Sequence, residues 1–158
     1  MEGRAYARPP VSGNLAELPE WAFDLLQEAR VGHLGLLDDD DRPRVLPVTF
    51  ALGAERLYTV VDQKPKRVPG ADLARVRYLR RRPEVTLTVD RYDDDWSRLA
   101  WVQVLGTVEV VDDPTTRPGA FAALAAKYEP YRRAVPEGPL LELRPERVLT
   151  WRADAGGS

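Results

Sequence analysis

The chain contains no cysteine, one histidine and one methionine in 158 residues. Without cysteine there is no disulfide, no thiolate nucleophile and no cysteine-ligated metal, a usage that suits a cytoplasmic compartment. His33 has no second imidazole to share a metal with, no Ser-His-Asp constellation is evident, and a lone strand histidine reads as structural. An excess of positive charge is also missing. Lys and Arg number 23 against 25 Asp and Glu, a net charge of −2, which argues against an extended nucleic-acid surface. The acidic runs Asp38 to Asp41 and Asp93 to Asp95 lack the Asp-x-Asp-x-Asp-Gly spacing of a calcium loop and read as solvated turns. No window approaches the ~20 apolar residues of a membrane helix, and Met1 to Gly13 has no apolar stretch of signal-peptide length. Neither a metal nor a membrane partner is expected, and the predicted location is the cytoplasm.

What is present suffices for one soluble core, with 44% hydrophobic and 30% charged residues in a chain of single-domain size. Leu18, Trp21, Leu25 and Leu26 fall near one side of a helix over Leu18 to Arg30, with Pro19 in its first turn. Strands are predicted over Val31 to Leu37, Pro43 to Leu52 and Arg56 to Val61, the first two joined by the Asp38 to Arg42 turn. A second helix over Ala71 to Arg82 turns Leu73, Val76 and Leu79 inward and spreads Arg75, Arg77, Arg80, Arg81 and Arg82 outward; Pro83 stops it. Val85, Leu87 and Val89 alternate with Thr86, Thr88 and Asp90 as a half-buried strand, and a loop over Tyr92 to Arg98 carries Trp96. The longest strand, Leu99 to Val111, places Val102, Val104, Gly106, Val108 and Val110 on one face and Trp101, Gln103, Leu105, Thr107 and Glu109 on the other. Gly106 empties one place in the valine row, as a strand requires where it bends to close a barrel. A short helix over Phe121 to Lys127, a loop over Tyr128 to Pro139 and a strand pair or bent strand over Leu140 to Trp151, broken at Pro145, complete the chain. The fold class is mainly β (α+β): a six-stranded antiparallel barrel with flanking helices. Residues 1–17 read as an N-terminal arm, 18–152 as the domain and 153–158 as a flexible tail.

One segment stands out chemically. After the third strand, Asp62-Gln63-Lys64-Pro65-Lys66-Arg67 places three cations around a proline. Pro65 stiffens the backbone, so such a strand end is suited to hold an anion, with phosphate the natural guest. A run of solvated surface cations is the alternative. Pro47 withholds a ladder N–H inside a strand pattern, which places it at an edge or bulge.

The segments Ala29-Arg30-Val31-Gly32-His33-Leu34, Val45-Leu46-Pro47-Val48-Thr49-Phe50 and Val61 to Arg67 together resemble the pyridoxamine 5'-phosphate oxidase-like superfamily. Arg82-Pro83-Glu84-Val85, Asp90 to Trp96, Trp101 to Gly106 and Arg144 to Trp151 resemble its actinobacterial branch that uses coenzyme F420, a 5-deazaflavin. The resemblance runs in order from about Leu18 to Trp151. It implies an FMN-binding split-barrel fold, a homodimer with two cofactor grooves between subunits, and a small-molecule substrate. It further implies that Lys64, Lys66 and Arg67 bind the cofactor phosphate and that Pro47, Val48 and Thr49 lie along its ring. Trp96 and Trp101 then wall the ring pocket or fill the dimer interface, and Trp151 closes the chain as in relatives or plugs the core. The second strand ends Val48-Thr49-Phe50-Ala51, without the lysine typical of pyridoxine-phosphate oxidases, and the basic helix suits the acidic tail of the deazaflavin by long-range attraction. Coenzyme F420 is therefore favoured over FMN. The implied activity is hydride transfer to a conjugated or carbonyl acceptor, with no catalytic side chain identified. Alternatives are an FMN-dependent oxidoreductase and a non-enzymatic binder of the deazaflavin, a haem or a related tetrapyrrole. A nucleic-acid-binding role for Val76 to Arg82 ranks last.

Overall fold

The computed structural model describes residues 11–12, 14–61, 70–136 and 138–153. The cations Lys64, Lys66 and Arg67 and the tail from residue 154 lie outside the described residues, as does all but two strand residues of the stretch before residue 14.

Among the described residues eight strands, where six were expected, form one antiparallel sheet: β1 Val11–Ser12, β2 Gly32–Leu37, β3 Pro43–Val48, β4 Ala51–Leu52, β5 Leu57–Val60, β6 Glu84–Arg91, β7 Ala100–Val111 and β8 Leu140–Arg152. Four α-helices accompany them among the described residues: α1 Glu20–Glu28, α2 Gly70–Arg81, α3 Pro118–Lys127 and α4 Glu129–Arg133. The strand order is β3-β2-β6-β7-β8-β5-β4, with β1 added to β8. The two ends of this path, β3 and β4, are consecutive in the chain and separated only by Thr49 and Phe50. A sheet whose outer strands are covalently adjacent must curl round on itself, and the result is a split barrel open between those two strands.

The strand alternation read from sequence is the alternation of burial. Val85, Leu87 and Val89 on β6 and Val102, Val104 and Val108 on β7 are all buried, and with Leu34, Leu57 and Leu143 they fill the barrel. The cavity among Leu34, Val48, Phe50, Leu57, Leu87, Val108 and Leu143 measures only ≈ 10 Å³, about the space of a single water at most. The interior is packed, so any ligand must bind outside it. Helix α1 closes one side with Ala22, Leu25 and Leu26, and α2 contributes the buried Leu79 with Val76 and Tyr78 beside it.

Four sequence readings change in detail. The run Pro43 to Leu52 is two strands, because Thr49 and Phe50 step out of the ladder. Of the two alternatives for the last segment, Leu140–Arg152 is the single bent strand, unbroken at Pro145: Gly106 faces Pro145 while Leu105 faces Arg147, so Glu146 is the extra residue of a bulge that absorbs the proline instead of ending the strand. A Cβ at Gly106 would lie 2.0 Å from the Arg144 carbonyl oxygen, so the glycine serves this close approach of backbones. The loop expected over Tyr128 to Pro139 contains α4, which, like α3, has a proline in its first turn, where a missing N–H costs nothing.

Candidate functional site

On β2, β6 and β7 the residues between the buried ones face outward, away from the packed barrel. His33 and Gly35, Thr86, Thr88 and Asp90, and Trp101 and Gln103, with Val45 from β3, line an open groove of ≈ 610 Å³. The register makes its floor continuous, since His33 faces Thr88 and Thr88 faces Gln103 across the ladders. Trp101 in turn faces Trp151 on β8. Both tryptophans are half-buried on this outer face, so Trp151 is not a core plug. His33 is exposed on the groove floor instead of serving the core. The groove is largely apolar with a few placed polar groups, the usual character of a small-molecule or subunit-contact surface.

The expected site residues divide by position. Pro47 lies on β3, an edge strand of the path, opposite His33; an edge is where a proline costs no ladder bond. Val48 points inward and is buried, whereas Thr49, at the break between β3 and β4, is half-buried. Trp101 lies in the groove, but Trp96 opens a single 3-10 turn over Trp96–Arg98 and is 69% exposed. The two tryptophans thus have different surroundings. The cationic segment starts beyond Val61, whose N–H donates to the Pro139 carbonyl at 3.1 Å. A Cβ at Gly138 would stand 1.8 Å from the Val61 carbonyl oxygen, so Val61 and Gly138 approach each other closely.

Residues that the sequence reading left in a loop meet Thr49 and Phe50. Tyr131 Oη lies 2.7 Å from Thr49 Oγ1. Tyr128 Oη accepts the Phe50 N–H at 3.1 Å and donates to the Arg30 carbonyl at 2.9 Å, with the Phe50 carbonyl also within 3.1 Å. The Tyr128 hydroxyl satisfies backbone groups of Phe50 where the strand breaks, as buried polar groups require. Burial pushes the Tyr128 phenol above its ordinary pKa, which keeps it a hydrogen-bond donor. Lys127 Nζ sits 3.8 Å from the centre of the Phe50 ring and donates to the Leu26 carbonyl at 3.2 Å. Burial, and secondarily the Arg30 guanidinium, push the Lys127 pKa down to about 8. The only sequence signal for this corner was Pro130 directly after Tyr128-Glu129, a helix-start mark inside an apparent loop.

The charges of α2 are largely spent internally. Arg77 pairs with Asp39 at 2.8 Å, Arg80 with Asp112 at 2.5 Å, and Arg81 and Arg82 both with Asp41 at 3.3 Å. The Asp38 to Asp41 turn is therefore no mere solvated loop. Asp38 is buried, and its Oδ1 accepts the Asp40 and Arg42 N–H groups at 2.9 and 3.0 Å. The Arg42 N–H above all holds its pKa below the usual carboxylate range. Arg75 differs from its helix neighbours: its Nε is buried with no hydrogen-bond partner. Among the described residues no group of three or more His, Asp or Glu is placed to hold a metal, and no helix is long and apolar enough to cross a membrane.

A packed split barrel with a groove on its outer sheet face and a proline-bearing edge strand defines a class of fold and surface, and the comparisons place the chain within it. The family profile described as Pyridoxamine 5'-phosphate oxidase matches residues 19–150. The chain belongs to that split-barrel family. No curated protein matches it in sequence. Among solved structures it is similar to a conserved hypothetical protein of Mycobacterium tuberculosis, at 17% identity and a TM-score of 0.66 over 89% of this chain and 88% of that one. It is similar to an F420 reductase at 25% identity and a TM-score of 0.57, over 83% of this chain and 98% of that one. The haem storage protein HutZ of Vibrio cholerae shares 15% identity at a TM-score of 0.65, over 85% and 95% of the two chains.

Proposed function

We propose that this protein is a homodimeric oxidoreductase dependent on coenzyme F420, reducing a small conjugated or carbonyl acceptor. The observation that carries the reading is the groove over His33, Thr88, Trp101 and Gln103, bordered by β3 and its Pro47. Two such faces opposed across a two-fold axis enclose a slot with largely apolar walls, the shape a planar ring needs. The solid barrel interior leaves no competing cavity at its centre.

The residues present fit a phosphorylated planar cofactor. Thr49 offers a half-buried hydroxyl at the end of the edge strand, and Arg75 carries a buried guanidinium nitrogen that lacks an acceptor, a group an anion would satisfy. Lys64, Lys66 and Arg67 hold the phosphate, Arg67 as a planar fork and the lysines as point charges. Pro47, Val48 and Thr49 align the ring along the backbone, and Trp101 packs against the cofactor or the partner subunit. Trp96, being exposed, meets ligand or partner only in the assembled dimer. When bound, the reduced deazaflavin supplies hydride from its C5 carbon. The absence of a lysine at Val48 to Ala51 and the likeness to an F420 reductase favour this cofactor over FMN. The paired arginines of α2 and Arg82 after it add less to the choice than their number implies, because Asp39, Asp41 and Asp112 offset three of their four charges.

The test is a titration of the purified protein with coenzyme F420, FMN and haem, followed by a screen of acceptors with whichever binds. Coenzyme F420 should bind most tightly, and Lys64→Ala with Lys66→Ala should weaken it by about tenfold or more per lost charge-assisted contact. Tighter binding of FMN would move the protein to flavin chemistry. Haem binding without acceptor reduction would make it a carrier. Unchanged affinity in the lysine variants would remove the phosphate assignment.

A further inference from the structure

Proton chemistry separates the residues of the outer-face groove. A hydride brings two electrons to an acceptor carbon and leaves a negative charge on the acceptor, which a proton has to meet. Thr86, Thr88 and Gln103 offer hydroxyl and amide groups there, and Trp101 an indole N–H; these donate hydrogen bonds but do not give up a proton near neutral pH. Asp90 offers a carboxylate, which once ionised only accepts. His33 is left. An imidazole is the side chain that ordinarily changes charge between about pH 5 and 8, and in its imidazolium form it has a proton to transfer.

Position sets His33 apart as well. It stands in register between Pro47 of β3 and Thr88 of β6, exposed on the groove floor. Two residues on, and so on the same face, Gly35 lines the groove without a side chain. A Cβ there would meet the Thr86 carbonyl oxygen at 3.5 Å and the Thr86 Cβ at 4.0 Å. Those are ordinary contact distances, so the sheet itself does not require a glycine, and what the glycine leaves is room beside the imidazole. The flanking strands bring Val45, Pro47, Thr86, Thr88 and Asp90 to this face, and β7 brings Trp101 and Gln103. Asp90 is the one charged group among them.

We infer that His33 is the proton donor of the reduction. As hydride from the reduced coenzyme forms the new C–H bond of the acceptor, the displaced electron pair moves onto the acceptor's carbonyl oxygen, directly or through a conjugated double bond. The imidazolium N–H breaks and the O–H bond forms; the neutral imidazole regains its proton from water once product has left. The inference rests on the reading of this groove as the seat of the reaction. It adds the acceptor class: a carbonyl or enone whose oxygen reaches the floor between His33 and Gly35.

The experiment has two arms. The chain holds a single histidine, so untagged protein labelled with 15N gives one set of imidazole signals that needs no variant to assign. Oxidised coenzyme F420, added with the acceptor found by screening, forms a pair that cannot react, and it should shift those signals. In the second arm His33→Gln keeps a hydrogen-bond donor but has no proton to transfer. It should bind coenzyme F420 as wild type does, yet turn over about a hundredfold more slowly or worse, the scale of general acid catalysis. The wild-type rate should fall as pH rises from about 5 to 8, and the variant should lose that dependence. If His33→Gln melts early, the wild-type imidazole signals still decide. Signals unmoved by the two ligands, or equal turnover and pH profile in the variant, would overturn the inference and leave the functional reading standing. Loss of affinity together with turnover in His33→Gln would make the residue a binding group and overturn it too. Failure of wild type to bind coenzyme F420, or to reduce any acceptor with it, would overturn the functional reading and this inference with it.

Discussion

The two faces of β6 and β7 carry residues of alternate number on the same strands, yet they answer to different demands. Leu87, Val89, Val102 and Val104 fill the barrel and leave almost no void. One residue along, Thr86, Thr88, Trp101 and Gln103 line an open groove of ≈ 610 Å³ among the described residues. Inside, close packing dictates size, and a methylene too many or too few is felt. Outside, the chain is free to vary composition, and with His33 of β2 it places one aromatic ring, three hydroxyl or amide groups, one carboxylate and one imidazole there. The comparison suggests that stability resides in the inner face and binding in the outer one.

Substitutions test that division. The largest effect is expected at the seam that shapes the barrel: Gly106→Ala drives a methyl into the Arg144 carbonyl, 2.0 Å away, and should cost about 3 kcal/mol or more, read by urea unfolding. Leu87→Ala, on the inner face, should cost about 2–5 kcal/mol through its cavity. Its outer neighbour Thr88→Arg should leave the stability of the isolated chain within about 0.5 kcal/mol but thrust a long cation into any pairing of two groove faces. Sedimentation velocity should then show a monomer for the variant and, on the proposed function, a dimer for wild type. A Thr88→Arg protein that remains dimeric would place the interface elsewhere and dissolve the comparison.

The smallest effect is a pH dependence. Lys127 falls from its usual value of 10.5 to about 8 on burial, so between these values the unfolded chain binds more protons than the folded one. Stability therefore rises as pH climbs from about 8 to about 10.5, and the contribution is lost as pH falls through 8. Denaturation series across that range should show the slope in wild type and its absence in Lys127→Met. A slope that persists in the variant would assign it to another group.

Much of the barrel was legible in sequence because a half-buried strand writes its two faces into alternate positions. Val85 to Val89 and Val102 to Val108 were read correctly from that pattern alone. Two kinds of feature were not. The break at Thr49 and Phe50 carries no glycine or turn signal; Tyr128, about 80 residues later, takes up the Phe50 backbone groups there, and Tyr131 meets the Thr49 side chain. Likewise the acidic turn at Asp38 to Asp41 and the arginines of α2 each looked solvated when read locally. They pair across separations of 38 to 43 residues.

By itself, then, the sequence determined the antiparallel strands, the inward valine and leucine rows, the edge position of Pro47 and the membership suggested by its ordered motifs, since each of these rests on periodicity or on neighbours along the chain. Only the tertiary structure decided which outward residues share a groove, that Trp101 joins it while Trp96 stays exposed, which arginines are already neutralised and which hydroxyl holds Thr49. Those outcomes depend on register and on contacts between distant segments, and local sequence does not encode the path by which a curled sheet brings them together.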